Sequence, residues 1–215
     1  MEVELCDFED GRPMVLTTNK ETADKIKALK SKKQYKELLE LATSMPNTRE
    51  KYLLEANSYL HLKRWKELAQ ACDKGLDLAE DDASSCDFYN LKGKAVGKLM
   101  DFQQKVELTS RAIKINPNVA AYHRNLGAAY YKLREYDKAV ECHNRAIDIE
   151  PKHSINYHNK GAAYFRLKDY PNAVSCFLKA TELDHKQTVS FAWLGDSYRE
   201  QGEFLRAKDA FERAY

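Results

Sequence analysis

From about residue 19 onward, apolar residues recur at the three- and four-residue intervals of one face of an α-helix, and the recurrences come in pairs. The stretches Ala120–Leu133 and Asp137–Ile149 are one such pair, predicted as two amphipathic helices joined by a short turn. Above this short period lies a longer one. Gly93, Gly127, Gly161 and Gly195 stand 34 residues apart, and so do Ala112, Ala146, Ala180 and Ala214. Phe102, Tyr136, Tyr170 and Phe204 form a third series, and Pro117 and Pro151 begin a fourth that becomes His185. Proline cannot continue a helix, so it punctuates each unit. Four series sharing one period exclude coincidence and mark an all-α repeat protein.

The residue types follow from the packing such a repeat requires. Small residues at the glycine and alanine series let two helices approach closely. The ring series Phe102, Tyr136, Tyr170 and Phe204 is expected to fill the space between them. One helix pair cannot bury its own apolar face, so each unit must lean on the next. Ala83, Ser84 and Ser85 read as a three-residue insertion that breaks phase between the second and third units.

The arrangement resembles the tetratricopeptide repeat, an aromatic–Leu–Gly–Tyr–Ala–Phe–Pro pattern spread over one helix pair. The last unit matches through Phe191, Leu194, Gly195, Tyr198, Ala207 and Phe211, and the unit before it through Tyr157, Gly161, Tyr164, Ala173 and Phe177. The unit from Ala120 carries Leu126, Gly127, Tyr130, Ala139 and Pro151, with His123 and His143 in place of two aromatics. The unit from Cys86 keeps Tyr89, Gly93, Phe102 and Pro117; that from Arg49 keeps Tyr52, Ala56, Tyr59 and Trp65. A degenerate first unit keeps Leu29 and Tyr35. The resemblance implies a right-handed superhelical solenoid over 19–215, with units at 19–48, 49–82, 86–119, 120–153, 154–187 and 188–215, after an N-terminal extension over 1–18.

Composition narrows the function. Hydrophobic residues make up 43% and charged residues 32% of the 215, an ordinary globular balance. Lys and Arg (35) nearly cancel Asp and Glu (33), so the net charge of +2 gives no global pull toward nucleic acid. The acidic opening MEVELCDFED is not a signal peptide, and no apolar run is long enough to span a membrane. Five scattered cysteines, never spaced as CxxC, imply small buried thiols in a reducing compartment, cytoplasmic or nuclear. The six histidines show no HExxH and no zinc spacing, and there is no phosphate-cradling glycine loop and no GxSxG. No catalytic residue, metal or cofactor is therefore expected, and the chain reads as a non-enzyme. The six lysines between Lys25 and Lys36, and the acidic stretch Asp77–Asp82, read as solvated surface.

Binding is expected in the concave groove that the resemblance assigns to the first helices of successive units. Its side chains include Asn90, Lys94 and Lys98; Arg124, Asn125, Ala128, Tyr131 and Lys132; His158, Asn159, Ala162, Phe165 and Arg166; and Trp193 in the last unit. Asn125 and Asn159 hold the same position in neighbouring units, where an amide can both donate to and accept from an extended peptide backbone. Lys94, Lys98, Arg124, Lys132 and Arg166 outnumber Asp87, which favours an acidic partner. The chaperone-carboxylate clamp of some family members finds only its central Asn here: Asn90 and Lys94, then Asn125, then Ile155 and Asn159 do not supply its cations. The expected role is a scaffold that binds an extended, acidic segment of another protein, without nucleic acid or membrane. Alternatives are an assembly module of a larger complex, or the recognition arm of a larger enzyme. Tyr215 falls before its helix should finish, so a longer polypeptide or self-association through the uncapped C-terminal end is expected.

Overall fold

The computed structural model describes residues 2–6, 13–17, 19–79 and 82–214, in two compact units, 1–117 and 118–215. The first unit opens with two strands, β1 (Glu2–Cys6) and β2 (Pro13–Thr17), paired antiparallel with Glu2 opposite Thr17 and Cys6 opposite Pro13. The extension thus carries a strand pair that the helical repeat gives no reason to expect. Its sequence does alternate, Glu-Val-Glu-Leu, with the two-residue period of a strand.

Helices α1 (Lys20–Ser31), α2 (Tyr35–Ser44), α3 (Arg49–His61), α4 (Trp65–Asp77), α5 (Asp82–Lys98) and α6 (Phe102–Ile115) complete the first unit. The second holds α7 (Ala120–Lys132), α8 (Tyr136–Ile149), α9 (Ser154–Arg166), α10 (Tyr170–Leu183), α11 (Thr188–Glu200) and α12 (Phe204–Glu212). Within each unit every helix packs on its neighbours in sequence, and the first helices of adjacent repeats also meet: α3 on α5, α7 on α9, α9 on α11. The predicted pair over 120–149 is α7 and α8. Ala83–Ser85 does not form a loop. It lies in the first turns of α5, which has 17 residues against 13 in α3, α7, α9 and α11, so the insertion is absorbed as added helix.

The turn inside each pair is made the same way. After α7, Arg134 takes φ 63°, its amide donates to the Tyr131 carbonyl, and the Glu135 amide donates to Tyr130. Those two bonds satisfy the last carbonyls of the helix and reverse the chain. Lys33, Lys63, Met100, Lys168 and Gly202 stand at the equivalent left-handed position after α1, α3, α5, α9 and α11. Glycine is the unstrained choice there.

The core forms where a glycine of one helix meets a side chain of its partner. A Cβ on Gly161 would lie 2.9 Å from Phe177, one on Gly195 2.7 Å from Phe211, and one on Gly127 2.7 Å from His143. In α5 the facing group shrinks to Thr109, 3.1 Å from a Cβ on Gly93. Ala112, Ala146 and Ala180 are fully buried. The ring series at the start of each second helix does not fill this space. Phe204 is 69% exposed. Tyr136 and Tyr170 lie edge-on against Tyr131 and Phe165, at 5.5 and 5.4 Å between ring centroids. The reason is positional. A residue opening the second helix stands beside the turn and reaches only the end of the first helix, whereas Phe177 and Phe211 stand two turns further on, level with the glycine.

The lysine run is solvated as expected: Lys25, Lys27, Lys32, Lys33 and Lys36 are exposed. Residues 80 and 81 of the acidic stretch lie outside the described residues. Cys72, Cys86 and Cys176 are buried and free, and burial pushes the Cys176 thiol up to about 11.

Two predictions follow from the glycine contacts. Gly161→Ala should cost about 1–3 kcal/mol, because a methyl group 2.9 Å from the locked Phe177 ring overpacks the pair. Gly97→Ala should be neutral or stabilising by up to about 1 kcal/mol, since its Cβ meets only the flexible Lys105 side chain and gains helix propensity. Urea unfolding of both variants checks the contrast, and equal effects would refute it. His143 generates a third. Burial pushes its imidazole from an ordinary 6.5 down to about 4, with Arg124 and His158 acting in the same direction. The unfolded chain therefore takes up that proton first. The neutral histidine's contribution is complete above pH 6.5 and is lost as pH falls toward 4, about 3 kcal/mol in all. His143→Phe should remove that part of the acid destabilisation. A stability difference between the two proteins that does not change between pH 7 and 4.5 would contradict it.

Candidate functional site

Small residues on the inner helices leave a hollow in the second unit. Ala128, Tyr131 and Lys132 of α7 share one helix face, by their three- and four-residue spacing, and His158 and Ala162 share one on α9. With Asn159 and with Trp193 of α11 they line a recess of about 260 Å³, and His143 of α8 lines it as well. The two alanines fall 34 residues apart at the same repeat position, so the space is a product of the repeat itself.

Aromatic contacts hold the walls. Phe165 meets Trp193 edge-on at 5.2 Å, and Trp193 stacks on Phe177 at 6.0 Å. Arg166 donates from Nε to the Tyr131 hydroxyl at 3.0 Å and lies 5.9 Å from the Trp193 ring centre, tying α7, α9 and α11 together. His158 pairs through Nδ1 with the Ser190 hydroxyl at 2.8 Å, and burial lowers its pKa. His143 is 1% exposed, and its Nδ1 has no hydrogen-bond partner. Asn159 is half-buried and makes no hydrogen bond within the protein among the described residues.

The predicted site residues divide sharply. Tyr131, Lys132, His158 and Asn159 line the recess, and Phe165 and Arg166 brace it through Trp193. Asn125 is half-buried on α7. Arg124 has a different occupation. It pairs with Glu150 at 3.5 Å and donates to Asn156 Oδ1 at 3.3 Å, while Asn156 donates to the Ala146 carbonyl at 3.2 Å. This guanidinium fastens α7 to the junction of α8 and α9 and is mostly buried. Asn90, Lys94 and Lys98 belong to the first unit. Asn90 is 1% exposed and so is enclosed rather than offered to a ligand. Lys94 is half-buried, and Lys98 is exposed with its ammonium 5.7 Å from the Trp65 ring centre.

Sequence reasoning missed His143 as part of the site. The signal was present: an imidazole stands where Phe177 and Phe211 stand in the next two repeats. Asn156, fully buried, was also unmarked. Among the described residues no cluster of His, Cys, Asp or Glu could hold a metal ion, and no helix is long and apolar enough to cross a membrane.

The geometry agrees with what known proteins show. The family model of the tetratricopeptide repeat matches residues 120–153 and 156–187, the repeats that build most of the recess. No curated protein matches the chain in sequence. Among solved structures, MamA 41-end from Desulfovibrio magneticus RS-1 superposes with a TM-score of 0.72 at 19% identity, over 80% of this chain and 95% of that one. A crystal structure of MamA protein gives 0.66 at 25% identity, over 77% and 91%. A further MamA crystal structure gives 0.68 at 16%, over 74% and 91%. Residues 120–153 and 156–187 are tetratricopeptide repeats, and these likenesses, with helix pairs packed in chain order, extend the same repeat fold well beyond them.

Proposed function

We propose that this protein is an interaction scaffold whose second unit binds an extended, acidic segment of a partner protein across the inner faces of α7, α9 and α11. The observation that carries the reading is the recess itself. It is an apolar hollow with one amide, Asn159, that the protein leaves without a hydrogen bond, and one exposed cation, Lys132, without an ion pair among the described residues. An amide in that state can take a peptide N–H and C=O together. Asn125, at the same position one repeat earlier, is already engaged within the protein and carries no part of this proposal. Of the cations expected to attract the segment, Lys132 is the one in this unit that is not already engaged: Arg166 serves the Tyr131–Trp193 wall and Arg124 serves Glu150. Asn90, Lys94 and Lys98 belong to the first unit and carry no part of this proposal.

A second reading has its own observation. On α12, Phe204 and Leu205 are 69% and 83% exposed, beside a hollow lined by Ala207 and Phe211. Adjacent exposed apolar side chains favour an assembly surface. If that surface joins copies of the chain, Leu205→Glu should lower the mass found by sedimentation equilibrium. A monomer in both proteins would sink self-association.

The groove is tested with peptides selected from an unbiased displayed library against the whole chain. Acidic sequences should be enriched. Lys132→Ala should slow association two- to threefold at low salt, with the effect fading as salt rises, because an exposed charge acts by steering. Asn159→Ala should instead speed dissociation roughly fivefold, the loss of about 1 kcal/mol of hydrogen bonding. Selected peptides indifferent to both substitutions would move the partner to another surface.

A further inference from the structure

The recess has a chemical character more specific than an apolar groove. Ala128 and Ala162 supply width, Tyr131 and Trp193 supply aromatic wall, Lys132 supplies the one charge, and three uncharged polar side chains, His143, His158 and Asn159, complete the lining. Its volume of about 260 Å³ is below that of drug-sized cavities and suits one large side chain. Two of the three polar groups have internal histories that differ. His158 is committed to Ser190, while His143 lies almost wholly buried with Nδ1 unpartnered. A buried nitrogen in that state is costly, and an apolar alternative is at hand, since Phe177 and Phe211 fill the same position against Gly161 and Gly195.

We infer that the recess is an anchor site for a tyrosine side chain of the bound segment, its ring between Ala128, Ala162 and Trp193 and its hydroxyl directed at the His143 imidazole. The inference rests on the groove reading above and names the residue that the groove selects. A phenol fits on two counts. Its ring meets the aromatic walls edge-on or stacked, the arrangements such rings prefer. Its hydroxyl can donate or accept, so it serves whichever tautomer His143 adopts. A phenylalanine would leave the imidazole unpartnered. An aspartate or glutamate could pair with Lys132 but would set a charge against the aromatic walls and leave them unfilled.

The test uses the full chain with histidine side chains labelled in ¹⁵N, and two soluble probes, N-acetyl-tyrosinamide and N-acetyl-phenylalaninamide. The tyrosine probe should shift the His143 ring nitrogens and bind about fivefold tighter than the phenylalanine probe, the discrimination expected of one buried hydrogen bond. His143→Phe keeps the packing used by the other repeats and should equalise the two probes. Ala128→Leu, at a half-exposed lining position, should fill the recess and weaken both. Equal affinities in the unaltered chain, a preference that survives His143→Phe, or no response of His143 to either probe would each overturn the inference. The outcomes separate cleanly from those of the groove. Loss of the tyrosine preference with acidic peptides still sensitive to Lys132→Ala and Asn159→Ala removes the anchor alone. Insensitivity in both experiments removes the groove as well.

Discussion

The whole second unit depends on one contact, a glycine of the first helix lying against the side chain at the centre of the second. Hydrogen in place of a methyl group is what allows Phe177 to sit where a Cβ on Gly161 would come within 2.9 Å. That distance sets how closely the helices of a pair approach, and hence where the first helix presents its other face. On α9, His158 stands beside this contact with its ring 5.6 Å from Phe177, and Asn159 and Ala162 are turned further round the same helix, so their positions follow from it. Packing of this density is not continuously adjustable, so a site built on it is fixed by the core beneath.

That dependence explains what could be read from the chain and what could not. The repeat was legible because every unit solves the same packing problem, and solutions of one problem recur at one period. The helix pairs and the resemblance to the tetratricopeptide repeat followed from Gly127, Gly161, Gly195 and the prolines. The roles of the rings did not follow. Period alone makes Tyr170 and Phe177 equivalent as aromatic positions, and only their height along the helix decides that Phe177 meets the glycine while Tyr170 caps the end against Phe165. Register likewise predicts which way a side chain faces but not what already occupies it. Asn90 and Arg124 sit at repeat positions assigned to the groove, yet one is enclosed and the other is held by Glu150 and Asn156. The strand pair over 2–6 and 13–17 stands outside the repeat altogether, and an argument from periodicity cannot reach it.

Charge plays a smaller part than the composition of the groove implies. Arg166 is exposed, but its guanidinium is already spent on the Tyr131 hydroxyl and the Trp193 face, and Arg124 is a bracket within the core. A cation held in an internal contact must break it before it can pair with a ligand, so its attraction for an acidic segment is largely offset. Of the three groove cations in this unit, Arg124, Lys132 and Arg166, only Lys132 is exposed with no hydrogen bond, ion pair or ring contact among the described residues. In the proposed groove, electrostatics would therefore guide approach more than hold what arrives.

In that proposal retention would come from the desolvated groups of the recess, and here the sequence has varied a structural position rather than a surface one. The side chains facing the repeat glycines run Thr109, His143, Phe177 and Phe211. Phenylalanine satisfies the packing in two of these pairs with no polar atom to place. Histidine accepts the same geometry but leaves a buried nitrogen without a partner, at a position that also borders the recess. A core residue thereby becomes part of the lining, and under the proposal above the cost of its unsatisfied nitrogen would be recovered when a bound group supplies the missing hydrogen bond. The scaffold and the candidate site are not separate layers at this point: one imidazole spaces α7 from α8 and also borders the hollow between α7, α9 and α11.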